Sequence, residues 1–143
     1  MKPLLVSIAI LLVAAPVAYA ARFSGTTSQD RAATVVTEEG SPVRITIRWR
    51  APCGQGRLRH YTHFVPPYDE STDTFVRDRG PYTTEIKDTE GRTYKFHARA
   101  RVRARQVTEN KWRGRFKVSG ELRRNGELVT RCESPRIRWR ATR

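Results

Sequence analysis

The sequence predicts an all-β fold, a single antiparallel β-sandwich or small barrel of about seven to nine strands. No run of ten or more residues carries apolar side chains at helical spacing, whereas apolar and polar residues alternate repeatedly from Val43 onward. The dipeptide Asn125-Gly126 separates two alternating runs and is the strongest short signal for a tight β-hairpin. The sequence contains no internal repeat, and nothing in it indicates a second domain.

The first 20 residues are typical of a secretory signal peptide and are set apart from the fold. Lys2 precedes an apolar run over residues 4–15, and the small-residue end Ala18-Tyr19-Ala20 predicts cleavage before Ala21. The apolar run is too short for a membrane anchor, which needs about 20 residues. We therefore expect a mature domain over 21–143, without a membrane span, that is secreted or held in the cell envelope.

The cysteines support an oxidising location. Cys53 and Cys132 are the only two in the chain. In an exported protein, an even pair of cysteines forms a disulfide more often than a metal site or a nucleophile. We predict a disulfide, the alternative being two free thiols of which one is reactive.

The first half of the mature chain carries the weaker strand signals. Strands are predicted at 43–49 and 57–65, and Pro66-Pro67 ends the second because proline cannot continue a hydrogen-bonded ladder. Residues 66–80 are predicted as a long exposed loop with at most one short strand around Phe75-Val76. Residues 21–34 are Ser/Thr-rich, and we expect them to be partly mobile. A short strand is predicted at 82–86.

The second half carries the stronger signals. The longest alternating run covers residues 94–105, and further strands are predicted at 112–122, 127–132 and 136–141. Within the strand predicted at 112–122, Gly114 and Gly120 indicate close approach of another strand or a bulge. The apolar faces, which include Trp112 and Trp139, are expected to point into the core.

The positive charge is concentrated in this second half. Residues 21–90 contain 10 basic and 10 acidic side chains, whereas residues 91–143 contain 17 basic and 4 acidic ones. Alternation places most of these basic residues on the solvent side of three strands. If the strands are neighbours, the residues form one cationic surface. The candidate anion-binding residues are Lys95, Arg99, Arg101, Arg103, Arg105, Arg113, Arg115, Lys117, Arg136, Arg138 and Arg140.

Two interpretations of this surface stay open. In the first, it binds an anionic polymer or cell surface: nucleic acid, a cell-wall polymer, an acidic polysaccharide or lipid head groups. In the second, it is an ordinary solvated face, rich in arginine because a GC-rich genome favours arginine codons. Proteins that bind single strands place aromatic rings among the basic groups, but the aromatic residues here alternate to the opposite face. Sequence-specific nucleic-acid binding is therefore disfavoured, and we expect a non-catalytic binding domain.

Candidate catalytic and metal-binding residues are few. His60 and His63 are three residues apart, a spacing that sends them to opposite faces of a strand and argues against a shared metal. His97 falls on the cationic face, where an exposed histidine is the simplest interpretation. No serine lies in a nucleophile-elbow sequence and no glycine-rich phosphate loop is present. The sequence predicts no enzyme, no metal and no cofactor.

Two alternative functions involve residues 66–80. Asp69, Glu70 and Asp73 could supply the carboxylate pair of a hydrolase acting on cell-wall polysaccharide. The same loop could instead carry a protein-interaction or inhibitor surface. Neither the spacing of the acids nor the loop sequence specifies a substrate or a partner.

Three segments resemble a family of small exported bacterial proteins that is frequent in high-GC bacteria and has no established function. They are Phe23-Ser24-Gly25-Thr26-Thr27-Ser28-Gln29, Trp49-Arg50-Ala51-Pro52-Cys53, and the C-terminal stretch in which Cys132 precedes Ile137-Arg138-Trp139-Arg140-Ala141. The resemblance implies an exported β domain in which Cys53 pairs with Cys132. It implies no active site, because the family offers none to transfer.

Overall fold

The computed structural model describes residues 19–54, 56–64 and 74–143, and all regular structure in these ranges is β. Every strand pair is antiparallel, which confirms the predicted fold class. The strands are β1 (Ala20–Thr27), β2 (Ala32–Glu38), β3 (Ser41–Cys53), β4 (Gly56–Phe64), β5 (Thr74–Lys87), β6 (Thr93–Thr108), β7 (Lys111–Arg124), β8 (Glu127–Glu133) and β9 (Ile137–Thr142).

The strands form one sheet that closes partly into a ring. Its order is β4-β3-β2-β1-β9-β7-β6-β5, and β8 pairs with both β3 and β7. β8 and β9 follow one another along the same edge of β7, with Ser134 between them. Ser134 bonds to both backbone groups of Val118, so the edge stays paired across the break. β3, β2, β1, β9, β7 and β8 thereby form the closed circuit.

The core consists of the inward faces that the alternation predicts. Trp49 is fully buried, and its ring centroid lies 5.9 Å from that of Phe96 and 6.5 Å from that of Phe116. The Trp49 Nε1–H group donates to Thr62 Oγ1 at 2.9 Å, so this indole is buried without losing a hydrogen bond. Phe64 packs edge-on against Phe116. Rings from β3, β4, β6 and β7 therefore meet at the centre.

The two glycines of β7 are positions of close approach, as the sequence predicts. A β-carbon at Gly114 would overlap the carbonyl oxygen of Arg103 and the Trp139 ring. One at Gly120 would overlap the carbonyl oxygen of His97. Asn125 and Gly126 have φ angles of 52° and 83°, which confirms a hairpin turn with two positive φ values.

The expected mobility of residues 21–34 stays a prediction, but the segment forms most of β1 and the start of β2, where the sequence analysis predicts no strand. β1 is paired on both edges, with β2 and with β9. The sequence of β1 does not show a regular alternation of apolar and polar residues, because the polar residue Thr27 occupies an inward position. Thr27 is 4% exposed, and its hydroxyl accepts the N–H groups of Gln29 and Arg31, which allows a polar residue to be buried there.

The prediction of a loop over 66–80 is wrong from residue 74 onward. β5 begins at Thr74 and extends to Lys87, paired with β6 along its length apart from a register shift between Arg79 and Tyr82. The 16-residue β6 offers backbone partners regardless of the side-chain pattern of β5, and short-range alternation does not report such pairing. Residues 65–73 lie outside the described residues.

The predicted disulfide is present between Cys53 and Cys132, and it links β3 to β8 where the two strands pair. The two cysteines are 79 residues apart in sequence, so the bond removes considerable freedom from the unfolded chain. It is the covalent closure of the ring.

Replacing both cysteines by alanine is expected to lower the free energy of unfolding by about 4.5 kcal/mol, the chain-entropy value for a loop of this length. Urea denaturation measures the change. Dithiothreitol is expected to destabilise the wild-type protein by a similar amount and to leave the double variant unaffected. Equal stability of the wild-type protein and the variant under oxidising conditions would contradict a stabilising role of the bond.

The turn between β5 and β6 is organised by Asp88. Its carboxylate accepts the N–H groups of Glu90 and Arg92, both at 2.9 Å, and Nε of Arg92 at 2.6 Å. Partial burial by itself raises the pKa of Asp88. The hydrogen bonds from Arg92, Glu90 and Tyr94 outweigh that effect and lower the pKa from 3.8 to about 2. The ionised carboxylate is thus the form that stabilises the turn.

A depressed pKa in the folded state gives stability that is present above the ordinary value and lost as the pH falls towards the folded value. Asp88→Asn is therefore expected to lower the unfolding free energy at neutral pH, with the deficit closing between pH 3.8 and about 2. Chemical denaturation across this range tests it. A deficit that does not vary with pH would rule out the ionised carboxylate as the cause.

Candidate anion-binding surface

The three strands that carry most of the basic residues are neighbours in the sheet. β7 lies between β6 and β9. The register aligns Arg103 with Arg115 and Arg115 with Arg138. It likewise aligns arginines 105, 113 and 140. Directly opposed residues of antiparallel strands project to the same face. The result is two parallel rows of three arginines, here termed the six-arginine array: Arg103, Arg105, Arg113, Arg115, Arg138 and Arg140.

All six side chains of the array are exposed, and within the described ranges none forms an ion pair with a carboxylate. Neighbouring strands lie about 4.8 Å apart, and successive outward positions along a strand lie about 6.7 Å apart. Six guanidinium groups therefore share a small patch. Like charges placed opposite one another across strands are destabilising, so the array carries a cost in free energy of folding.

The other candidate residues surround the array, and two of them, Lys117 and Lys95, lie beside an acid. Lys117 forms an ion pair with Glu133. The register places Arg101 opposite Lys117. It places Lys95 opposite Glu85 on one side. Arg99 faces Ser119 in β7, and Arg136 precedes β9. Within the described ranges, the ion pairs on this side of the sheet therefore lie beside the array and do not include its residues.

Glu121 marks the acidic border of this surface. Its carboxylate accepts hydrogen bonds from Arg123 at 2.7 Å and lies 3.5 Å from Arg131. The hydrogen bond from Arg123 lowers the pKa of Glu121, partial burial opposes this change, and the charge of Arg131 adds to the lowering. The carboxylate therefore stays ionised beside the residues it pairs with, away from the array.

The array encloses an open basin of about 500 Å³. It is lined by Gly114, Trp139 and five arginines of the array. Small-molecule sites are usually concave and bury most of their ligand. An open basin is better matched to a segment of a longer chain.

No aromatic ring of β6, β7 or β9 stands among these arginines. Phe96, Trp112, Phe116 and Trp139 are all buried in the core, as predicted. Tyr94 is half-buried at the far end of β6, beneath the guanidinium of Arg124. The surface therefore lacks the stacking platforms that single-stranded nucleic-acid binders use.

The histidines do not form a shared site. His60 points inward, edge-on to Trp49, and its Nε2 lies 3.2 Å from Thr84 Oγ1. His63 points outward, with Nδ1 2.7 Å from Thr46 Oγ1. The two side chains lie on opposite faces, as the spacing predicts. His97 is exposed on the cationic face and bonds to Thr83.

The described part of the chain contains no group of three or more His, Cys, Asp or Glu residues placed to hold a metal ion. The acids proposed for hydrolysis, Asp69, Glu70 and Asp73, lie outside it. The protein-interaction surface predicted over 66–80 lies mostly outside it as well. These alternatives stay predictions.

The sequence does not reveal the role of the β1–β2 turn, which connects the array to another part of the sheet. Ser28 N–H donates to the Arg138 carbonyl at 2.7 Å, and Arg138 N–H donates to Ser28 Oγ at 3.1 Å. The Gln29 side chain makes both hydrogen bonds to the Arg50 backbone, at 2.9 and 2.8 Å. The turn is thereby fixed to β9 on one side and to β3 on the other.

Comparisons of the chain with protein-family models, curated proteins and solved structures find no match. Function is therefore argued from the residues of this chain. The disulfide is typical of proteins that fold outside the cytoplasm. Over the described ranges, the protein has no helix with the length and apolar character to cross a membrane.

Replacing the central arginine of one row tests the electrostatic cost of the array. Arg115→Thr removes two opposed arginine pairs and introduces a residue that favours strands. We expect the unfolding free energy to rise by about 0.5–1 kcal/mol at low salt and the gain to shrink as salt screens the charges.

Urea denaturation at low and high ionic strength provides the measurement. The matched control is Arg44→Thr, because Arg44 lies opposite Val36 rather than another arginine. A loss of stability at low salt in Arg115→Thr would show that the opposed arginines do not repel one another appreciably.

Proposed function

We propose that this protein is an exported, non-catalytic binding module that holds an anionic polymer or surface against the six-arginine array. The observation that carries the proposal is the register of β6, β7 and β9, which aligns two rows of three arginines across these strands. A face that needs only hydration is equally well covered by threonine, serine or mixed charges. Six opposed cations instead favour the binding of a counter-anion.

The choice of residue supports an oxyanion partner. The guanidinium group presents a planar set of donors that matches phosphate, sulfate or carboxylate with two parallel hydrogen bonds. Two acids on this side of the sheet, Glu121 and Glu133, pair with basic residues outside the array and leave it available. Because the array offers charge without aromatic platforms, we expect binding that depends on charge density and salt and is insensitive to sequence.

The array is a binding surface rather than a reaction centre in this proposal. Arginine stays protonated in proteins and therefore cannot act as a general base. An open basin also leaves a bound chain in contact with water along its length. The physiological effect of binding is then retention at an anionic polymer or surface outside the cytoplasm.

Replacing one row tests the proposal. The variant Arg103→Ser/Arg115→Ser/Arg138→Ser is compared with the control Arg22→Ser/Arg44→Ser/Arg124→Ser, which removes the same charge at exposed positions outside the array. Binding to heparin is measured as a function of salt. We expect the slope of log K against log salt to fall by about 2–3 in the row variant, since each lost contact removes nearly one released counterion.

The control is expected to retain most of the wild-type slope and affinity. An equal loss in both variants would mean that net charge alone drives binding, and the array would then have no special role. Heparin binding by the wild-type protein that is indifferent to salt would also contradict the proposal.

A further inference from the structure

We infer that the anion-binding surface continues from the array around the sheet to β3 and β4, so that a bound polyanion crosses the strands rather than following them. The inference rests on the proposed function and names its ligand more closely: a chain with anionic groups along a length of several strand spacings. The residues that extend the surface, here termed the second basic group, are Arg48, Arg50 and Arg59.

The register traces the first connection. The row that ends at Arg138 meets Ser28 through two backbone-directed hydrogen bonds. The next residue, Gln29, bonds to Arg50. Arg50 pairs in turn with Arg59 of β4. Strand pairing and the hydrogen bonds of the β1–β2 turn thus connect five arginines on five different strands.

The second row follows a parallel path. Arg140 pairs with Thr26 of β1, and Thr26 pairs with Ala32 of β2. The neighbouring residue of β2, Ala33, pairs with Ile47, which is adjacent to Arg48 in β3. Arg48 pairs with Tyr61, and its guanidinium lies 5.9 Å from the centre of that ring.

The surface between the two basic groups is open. Thr26, Ser28 and Ala32 are exposed and small, so these three positions leave the surface accessible. Arg48 and Arg59 are exposed, and neither forms an ion pair with a carboxylate of the described residues. Arg50 is half-buried and donates to the Gln29 carbonyl. An acid, Asp30, is exposed in the β1–β2 turn, between the array and the second basic group.

Distances set the length of ligand that can use the whole surface. The array spans two strand spacings, or about 10 Å, whereas the path from β6 to β4 spans six spacings, or about 29 Å. A short anionic chain can contact only the array. These lengths are measured along the curved sheet, so a chain longer than about 29 Å that bends around the sheet can contact both basic groups at once, which adds the second set of charges without a second association step.

The experiment uses heparin oligosaccharides of graded length as the probe, at several salt concentrations. The variant Arg48→Ser/Arg59→Ser is compared with the control Arg22→Ser/Arg44→Ser, which removes the same charge from β1 and β3 off the path. For long oligosaccharides we expect the variant to lose about twentyfold in affinity and about 2 in salt slope. For oligosaccharides no longer than the array, we expect no loss beyond that of the control.

A second variant acts in the opposite direction. Asp30→Asn removes the acid between the two basic groups, and asparagine tolerates the positive φ of 55° at this position. We expect it to raise the affinity for long oligosaccharides about fivefold and to leave short ones unchanged. This gain cannot arise from a loss of folding.

The outcomes separate the inference from the proposed function. If the row variant Arg103→Ser/Arg115→Ser/Arg138→Ser weakens both lengths while Arg48→Ser/Arg59→Ser matches its control for both, the extended surface is wrong and the proposed function stands. The same conclusion follows if the second basic group affects short and long chains equally. If neither set of variants changes binding at either length, both are wrong.

Discussion

The pairing of β7 along both of its edges is the constraint on which the rest of the structure depends. On one edge it pairs with β6 over most of its length. On the other it pairs with β9 and then with β8. The break at Ser134 sends β9 to β1 and β8 to β3 while β7 stays continuously paired. The sheet closes into a ring because one long strand has two successive partners.

The same pairing fixes the charged surface. Hydrogen bonds between backbones determine which arginines oppose one another, and the side chains have no freedom to choose other neighbours. The repulsion this creates is offset by apolar burial around Trp49 and by the covalent link between Cys53 and Cys132. A rigid sheet with a well-packed core can sustain such a surface, and the six-arginine array is the feature on which the proposed binding function rests.

Three residues of the segment 23–29 have structural explanations in this fold. A side chain at Gly25 would overlap the backbone of Arg140, so glycine permits the contact between β1 and β9. Thr27 satisfies turn N–H groups from a buried position, and Gln29 replaces a missing strand partner of Arg50. These roles concern packing and backbone hydrogen bonding. They position β1 and the β1–β2 turn against β9 and β3.

The sequence by itself determined the fold class, the hairpin at Asn125-Gly126 and the face of each strong strand, because these depend on local alternation and turn chemistry. It placed the array's arginines in solvent for the same reason. Only the tertiary structure decided that β6, β7 and β9 are adjacent, that β1 and β5 are strands, and that the β1–β2 turn bonds to both Arg138 and Arg50. Those features depend on pairing between residues distant in the chain, which no short-range pattern encodes.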